Sequence, residues 1–521
     1  MALALLAQPR RPSRLVLWTT VVALAGSVAA FFVWRQQPLT DETVRARLVA
    51  ALAREFDATV ELGALHCHLF PTPGADGQNL VVRHRGRTDV PPLLRIDSFH
   101  AEATPLGLLR HHLSRLEIRT LDIAIPPAPA DSVSGASAPA PSPSEESFVI
   151  DELEAQAGHV VILPGTDAAP LAWAMTHLRV EDASLDTSTS FEAALTNVTP
   201  PGDIIAHGWF GPWQRDAPGR TPVSGGFTLE KAQLAAFEGL HGTLSSRGAF
   251  AGSIDSIEAH GTADSRDFTV DLGGHAVPLH AQYDAHVDGA SGDTLLRSVK
   301  ATWLHTTLTA SGRISHGSGG AGPTVAVDAT IESGRFEDLL VLTVPSSAPP
   351  MSGQLRARAA VLIPPGGADL IDKAQLKGQF RITGARFADG EVRRRINALS
   401  AQPGKGQDVP PDPAPGSTQF AGTFGVSRST LAIPTVAFDA PGAAVALRGH
   451  YGLRSGALDF HGTLVMASSV SDTAGGVKHV LLKLVDPLFK RKGGPSVVPI
   501  RISGTRDHPS VSVDAVKVMK P

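Results

Sequence analysis

The spacing of apolar residues along this chain changes repeatedly, and each change predicts a different element. From Leu15 to Trp34 the sequence reads LVLWTTVVALAGSVAAFFVW, with no charged residue. A run of about 20 residues at about 1.5 Å per residue crosses a hydrocarbon core of about 30 Å. Arg10, Arg11 and Arg14 precede it, Arg35 follows, and Trp18 and Trp34 lie near its ends, where aromatic rings favour the membrane interface. The cationic cluster predicts a cytoplasmic N-terminus and an exported remainder. Ser27, Ala29 and Ala30 leave open a cleaved signal peptide, which also exports the bulk of the chain.

Beyond the apolar run the period becomes helical and then falls to two. Thr40 offers a cap, Asp41 and Glu42 favour a first turn, and Val44, Leu48, Leu52 and Phe56 recur every fourth residue, predicting a short amphipathic helix. Leu94 and Ile96 alternate with Arg95 and Asp97, and Leu121, Ile123 and Ile125 with Asp122 and Ala124, as half-buried strands do. Pro105–His112 reads as a short helix between them, and LEKAQLAAFEGL, within Phe227–Leu240, as another. His111 and His112 would then place a favourable charge at a helix C-terminus.

Glycine repeatedly interrupts the strands in phase with the apolar residues. Gly208, Gly242, Gly312, Gly378, Gly422, Gly449 and Gly462 each stand between apolar residues two positions away, as in Leu376-x-Gly378-x-Phe380 and Phe460-x-Gly462-x-Leu464. A period of two puts these glycines on the apolar face, where glycine marks a bend, a bulge or a close approach. Either the sheet curls with that face inside, forming an apolar trough, or the glycines serve ordinary sandwich packing. Their irregular spacing gives no ground for a solenoid of fixed period.

Composition refines this outline. The 521 residues are 42% hydrophobic and 18% charged, too apolar for disorder and too polar for a multi-span membrane protein. The 51 glycines and 40 prolines suit short strands and turns. A net charge of −4 argues against a nucleic-acid partner. The single cysteine, Cys67, permits no intramolecular disulfide. Residues 126–147 (PPAPADSVSGASAPAPSPSEES) and 402–417 (QPGKGQDVPPDPAPGS) have linker composition. They divide the chain into an anchor region (1–36), an N-terminal helix-and-strand region (37–125), a β-rich region (148–401) and a C-terminal region (418–521).

Chemical motifs are scarce. His66 and His68 share a strand face with Cys67 turned away, but two ligands do not close a zinc site, and no metal is expected. Gly317, Gly319, Gly320 and Gly322 suit a turn better than a phosphate cradle. No nucleophile elbow, Walker loop or kinase set occurs, so no catalytic residue and no cofactor is expected. A carboxylate pair assembled by distant strands would be invisible in the sequence. Val477, Val480, Leu481, Leu484, Val485, Leu488 and Phe489, interleaved with lysines and near Pro487, predict a basic amphipathic helix. It either caps the sheet or touches lipid or a partner.

Taken in order, the apolar run, TVRARLVAALAREF, ATVELGALHCHLFPTPGADGQNLVV and LLRIDSFHAEATPLGLLRHHLSRLEIRTLDIAI resemble the N-terminal region of the AsmA-like family of diderm bacteria. GARFADGEVRRRINALS and HVLLKLVDPLFKRKGGPSVVPIRISGTRDHPSVSVD resemble that family's later segments. The motifs are patterns of small and apolar residues, not catalytic signatures. The resemblance implies inner-membrane anchoring and a periplasmic body. It also implies a β-sheet folded into a hydrophobic groove related to bridge-like lipid-transfer proteins, and a part in phospholipid movement and outer-membrane biogenesis. The expected fold is therefore mainly β with a few helices: an N-terminal transmembrane helix, then a long curled antiparallel sheet with short amphipathic helices at its ends. Candidate floor residues are Leu376, Phe380, Ile382, Leu447, Tyr451, Leu458, Phe460, Leu464 and Met466, each of which serves equally as ordinary core. Phospholipid and the inner membrane are the implied partners. Because about 20 strands at about 4.8 Å reach only on the order of 100 Å, an outer-membrane or periplasmic protein partner is expected too. The competing reading is a scaffold or assembly factor that captures outer-membrane polypeptide by strand addition. Lipid needs an unbroken apolar strip, whereas strand capture needs a free edge.

Overall fold

The computed structural model describes residues 40–70, 72–109, 112–127, 149–165, 170–198, 200–289, 291–316, 322–346, 348–387, 418–440, 443–466, 496–506 and 508–513. The apolar stretch 15–34, most of both linkers, Gly317, Gly319, Gly320, His111 and the basic segment Val477–Phe489 lie outside these residues. Among the described residues no helix is long and apolar enough to cross a membrane. The described chain is mainly β, with 28 strands in one long sheet and few helices.

The helix α1 (Asp41–Glu55) forms where the fourfold spacing predicts it. Thr40 occupies the cap position, yet its hydroxyl meets that of Thr43 at 2.8 Å and caps no backbone N–H. Asp41 instead ties the helix start to the sheet, its Oδ1 accepting from the Cys67 amide at 3.0 Å. Val44, Leu48, Val49, Leu52, Ala53 and Phe56 pack on a core containing Val60, Leu62, Leu80, Val82, Ile96 and Met175. Strands β1 (Ala58–Leu62) and β2 (Leu65–His68) both pair with β3 (Gly74–His84), which pairs with β4 (Leu94–Glu102), all antiparallel.

Next to β4 the polarity changes. Strands Arg115–Ile118 and Leu121–Ile125 run parallel to Val149–Ala155 and Gly158–Ile162. Parallel neighbours require a long return connection. The chain must travel from Ile125, opposite Ile162, back to Val149, opposite His112. At up to about 3.3–3.6 Å per residue the segment 126–148 has ample reach for this. The strands before and after residues 126–148 thus belong to one continuous sheet. From Leu171–Ala183 onward the strands form an antiparallel meander to Pro509–Val513, and it continues across 402–417 by the pairing of Gln375–Phe387 with Thr418–Ser427.

Some local expectations are overturned. The segment LEKAQLAAFEGL is not helical: strand Pro222–Gln233 runs into a single 3-10 turn, Leu234–Ala236. Phe227 and Leu229 pair with Ala206 and Ile204 on one side and with Gly248 and Ser246 on the other. A strand hydrogen-bonded on both edges outweighs helix propensities of a few tenths of a kcal/mol per residue. A bulge at Lys231, whose φ is 56°, then returns Ala232 to the buried side. The helix after Pro105 ends at Leu109, and His112 opens a strand, where its Nδ1 meets Asp151 Oδ1 at 3.1 Å. Gly242 lies between strands with φ 120°, a local turn and not a position inside the apolar face.

Candidate functional site

Residues directly opposite one another on neighbouring strands point to the same face. Following partners from strand to strand therefore traces what each face presents. One such row starts at Cys67, Ala75, Ala101, Leu116, Leu153, Val180 and Phe191. It continues through Gly208, Gly225, Phe250, Ala259, Ala285, Leu296, Gly312 and Val327. It ends with Val361, Leu376, Val426, Leu431, Tyr451 and Leu458. No charged side chain interrupts it. At about 4.8 Å per strand it runs on the order of 100 Å.

The adjacent row is equally continuous. It leads from Leu65, Gly77, Phe99 and Ile118 through Ala155, Leu178, Ala193 and Ala206. Phe227, Gly248, Gly261, Tyr283, Val299, Ala310, Ala329, Ala359, Gly378 and Phe424 complete it. Its polar atom, the Tyr283 hydroxyl, is satisfied by the Ser246 hydroxyl at 3.0 Å, and burial pushes the phenol's pKa up. A third row, Ile331, Ala357, Phe380, Gly422, Val436, Leu447, Gly462 and Ile500, flanks it over the later strands.

The structure thus brings the expected floor residues together. Leu376, Tyr451 and Leu458 lie on the first row and Phe380 and Leu447 on the third. Phe460 stands opposite Gly449, Ile382 opposite Leu355, and Leu464 opposite Val445, on the same face. Met466 stands at its strand's end in register with Ala443 and Ser496.

Six of the seven singled-out glycines, all but Gly242, also fall on this face, and their surroundings explain them. A Cβ at Gly208 would lie 2.0 Å from the Ser224 carbonyl oxygen, and at Gly462 2.0 Å from that of Ala446. Aromatic rings lie across several of them. A Cβ at Gly378 would stand 2.7 Å from the Phe424 ring and at Gly449 2.8 Å from Phe460; at Gly261, a further glycine of the second row, it would stand 2.7 Å from the Tyr283 oxygen. Cross-strand glycine lets a neighbouring ring lie flat on the backbone. The sequence pattern located these positions but not the rings that need them, because ring and glycine sit on different strands.

Cover on this face is uneven. Helix α1 lies over the first strands, whereas helix Phe336–Thr343 packs beside Val277, Trp303, Ile331, Leu355 and Ile382, where its strands connect. Asp338, 3% exposed, fixes that helix by accepting from Thr306 Oγ1 at 2.8 Å and the His305 amide at 2.9 Å. Beyond the β2 end, the hairpin tip carries Leu69 and Phe70, 61% and 88% exposed.

The opposite face carries cross-strand ion pairs, alongside exposed apolar residues such as Ile205 and Trp209, 61% and 56% exposed. His159 meets its cross-strand partner Asp122 at 3.0 Å, and His280 meets Asp264 at 2.7 Å. Glu258 accepts from Arg297 and His286, and the guanidinium holds its carboxyl below the usual range. Two small clefts of about 220 and 180 Å³ are lined by Pro91, Arg95, Ile123 and His159, and by Glu332, Arg356 and Arg381. Ligand pockets are typically about 300–1,000 Å³. His66 and His68 do not act together: His66 faces Asp41, while His68 faces Asp76. No family model, curated protein or solved structure matches this chain.

Proposed function

We propose that this is a non-enzymatic envelope protein that carries phospholipid acyl chains along the apolar face of its sheet, supporting phospholipid transport and outer-membrane biogenesis. The observation that carries this reading is the charge-free row from Cys67 to Leu458, accompanied by a second row along most of its length. Each methylene kept from water is worth about 0.8 kcal/mol, so an acyl chain on such a surface avoids a barrier on the order of 10 kcal/mol. Transport of this kind needs neither nucleophile nor metal, only alternation of apolar and polar positions. The carbonyl groups that crowd Gly208, Gly312, Gly422 and Gly462 from neighbouring strands support a sheet curled toward that face.

In this reading residues 15–34 anchor the chain in the bacterial inner membrane, with the N-terminus cytoplasmic and the bulk periplasmic. Trp34 and Thr40 are joined by a stretch that extends at most about 20 Å. The start of α1 is tied to β2, and β2 leads directly into Leu69 and Phe70. In this reading the exposed tip marks the end nearest the anchor, and Leu106, 57% exposed, follows β4 on the same margin. We read that end as facing the membrane and the C-terminal strands as facing an outer-membrane or periplasmic partner.

The test is native mass spectrometry of the full chain purified from a bacterial envelope in mild detergent. Co-purifying phospholipid that disappears in Phe380→Asp and Phe460→Asp, with unchanged circular dichroism, is the expected result. A folded protein without lipid overturns the reading. It would favour capture of polypeptide along the terminal strand Pro509–Val513, which has one described neighbour.

A further inference from the structure

We propose that His68, Asp76 and His100 form a surface site for a divalent transition-metal ion of the zinc class. This inference stands on the polar side of the sheet and is independent of the lipid reading. Strands β2, β3 and β4 bring together residues separated by up to 32 positions, in a register that sets Asp76 directly opposite His100 and His68 opposite Gly74. Asp76 offers one oxygen to each ring. Its Oδ1 lies 2.7 Å from His100 Nδ1 and its Oδ2 lies 3.8 Å from His68 Nε2. One ligand atom from each of the three residues falls within 4.8 Å of the others. Zinc bonds of about 2.0–2.2 Å in a tetrahedron place neighbouring ligands about 3.3 Å apart, so the observed separations bracket the required one.

The far side of each imidazole is also prepared. His68 Nδ1 lies 3.0 Å from the Thr72 carbonyl oxygen, which can only accept, so this nitrogen carries the proton and leaves Nε2 free as a ligand. His100 Nε2 lies 3.3 Å from Glu102 Oε1, so its Nδ1 is the nitrogen that turns toward Asp76. Imidazoles tethered through the second nitrogen to a carbonyl or carboxylate are the usual supporting arrangement of metal-bound histidine. Gly74 completes the cradle: a Cβ there would stand 2.6 Å from His68 Cε1. The two rings stack with centroids 5.8 Å apart and planes 15° apart. Other cross-strand pairs, such as His159 with Asp122 and His280 with Asp264, have one imidazole for one carboxylate. When protonated, His100 donates to both Asp76 and Glu102, and metal binding then replaces the Nδ1 proton and releases it to solvent. Water completes the coordination from the exposed side.

The experiment is isothermal titration of the full-length protein in mild detergent with Zn²⁺ after chelation, repeated in buffers of different ionisation enthalpy, with Co²⁺ absorption as an optical probe. Expected are one saturable site, proton release, and tetrahedral Co²⁺ bands. His68→Ala and His100→Ala should each weaken binding at least tenfold, and Glu102→Gln about tenfold, as supporting groups do. His159→Ala and His280→Ala should leave it unchanged, and circular dichroism in chelator reports whether each variant folds. The proposal is overturned by absence of saturable binding. Weak sites that His159→Ala and His68→Ala diminish equally would overturn it too, as would undiminished binding in folded His68→Ala or His100→Ala.

Discussion

The first strands and the later meander share one apolar face, yet the chain treats that face differently in the two places. Under α1 it is sealed: Val82 is 0% exposed, and Leu48, Leu52 and Phe56 close over it. From Phe191 onward the same rows pass under no comparable helix among the described residues, and most of their members are only half-buried. A sealed apolar face is a core and stabilises the fold by excluding water. In the reading proposed above, the face left uncovered among the described residues takes the apolar occupant, since large exposed apolar patches are rare in soluble monomers.

Placing a carboxylate on each region gives the largest contrast. Val82→Asp buries an unpaired charge, at a cost of several kcal/mol or more, and no folded protein should be recovered, as circular dichroism and limited proteolysis will report. Phe380→Asp places the same charge where water has access, so the fold should survive while bound lipid is lost. If both variants fold, or both fail, the distinction between sealed and open regions is wrong.

Glycine sharpens the comparison on the open side. Gly261 shares a row with Gly248, and a Cβ at Gly261 would meet the Arg247 carbonyl oxygen at 2.4 Å as well as the Tyr283 oxygen. Gly261→Val should destabilise by about 1–3 kcal/mol in urea unfolding, the range for overpacking, although valine ordinarily favours strands. Leu52→Ala on the sealed side should cost about 1–2 kcal/mol, below the 2–5 of fully buried leucines, because Leu52 is half-buried. It should speed amide exchange in α1 and β1 without changing the amount of lipid that co-purifies.

How much of this was legible in the sequence follows from what is local and what is not. The periods that mark α1, β4 and the Leu376–Ile382 strand are local, as is the in-phase placement of glycine, and the structure bears out the strands and the shared face. The parallel pairing around Val149–Ala155 was not legible, because nothing in a Pro/Ala/Ser stretch states which strand it returns to. The segment after Phe227 misled because its helix-forming residues are local whereas its two neighbouring strands are not. The pairing of His68 with Asp76 and His100 was missed for the same reason. HCH displays two histidines on one face, but Asp41 at the start of α1 meets His66, whereas Asp76 of β3, itself paired with His100 of β4, meets His68.

The smallest effect expected is pH-dependent, and its sign separates the two faces. His84, 7% exposed beneath the end of α1, has its pKa pushed below the ordinary 6.5 chiefly by burial, although Nδ1 meets the Phe56 carbonyl oxygen at 3.4 Å. The native state therefore prefers the neutral ring. Its contribution to stability is present above pH 6.5 and is lost as the pH falls through the lowered native value. His100 behaves oppositely, since its hydrogen bond to Asp76 raises its pKa. That contribution is full below pH 6.5 and is lost as the pH rises through the raised value. Acidification from pH 7.5 to 5.5 should thus loosen the seal while holding the outer pair. Amide exchange should quicken at Ala58–Leu62 on this change, and His84→Leu should remove the pH dependence there. Unchanged sensitivity in His84→Leu would assign the effect to another group, and exchange that slows on acidification would reverse the sign argued for the buried imidazole.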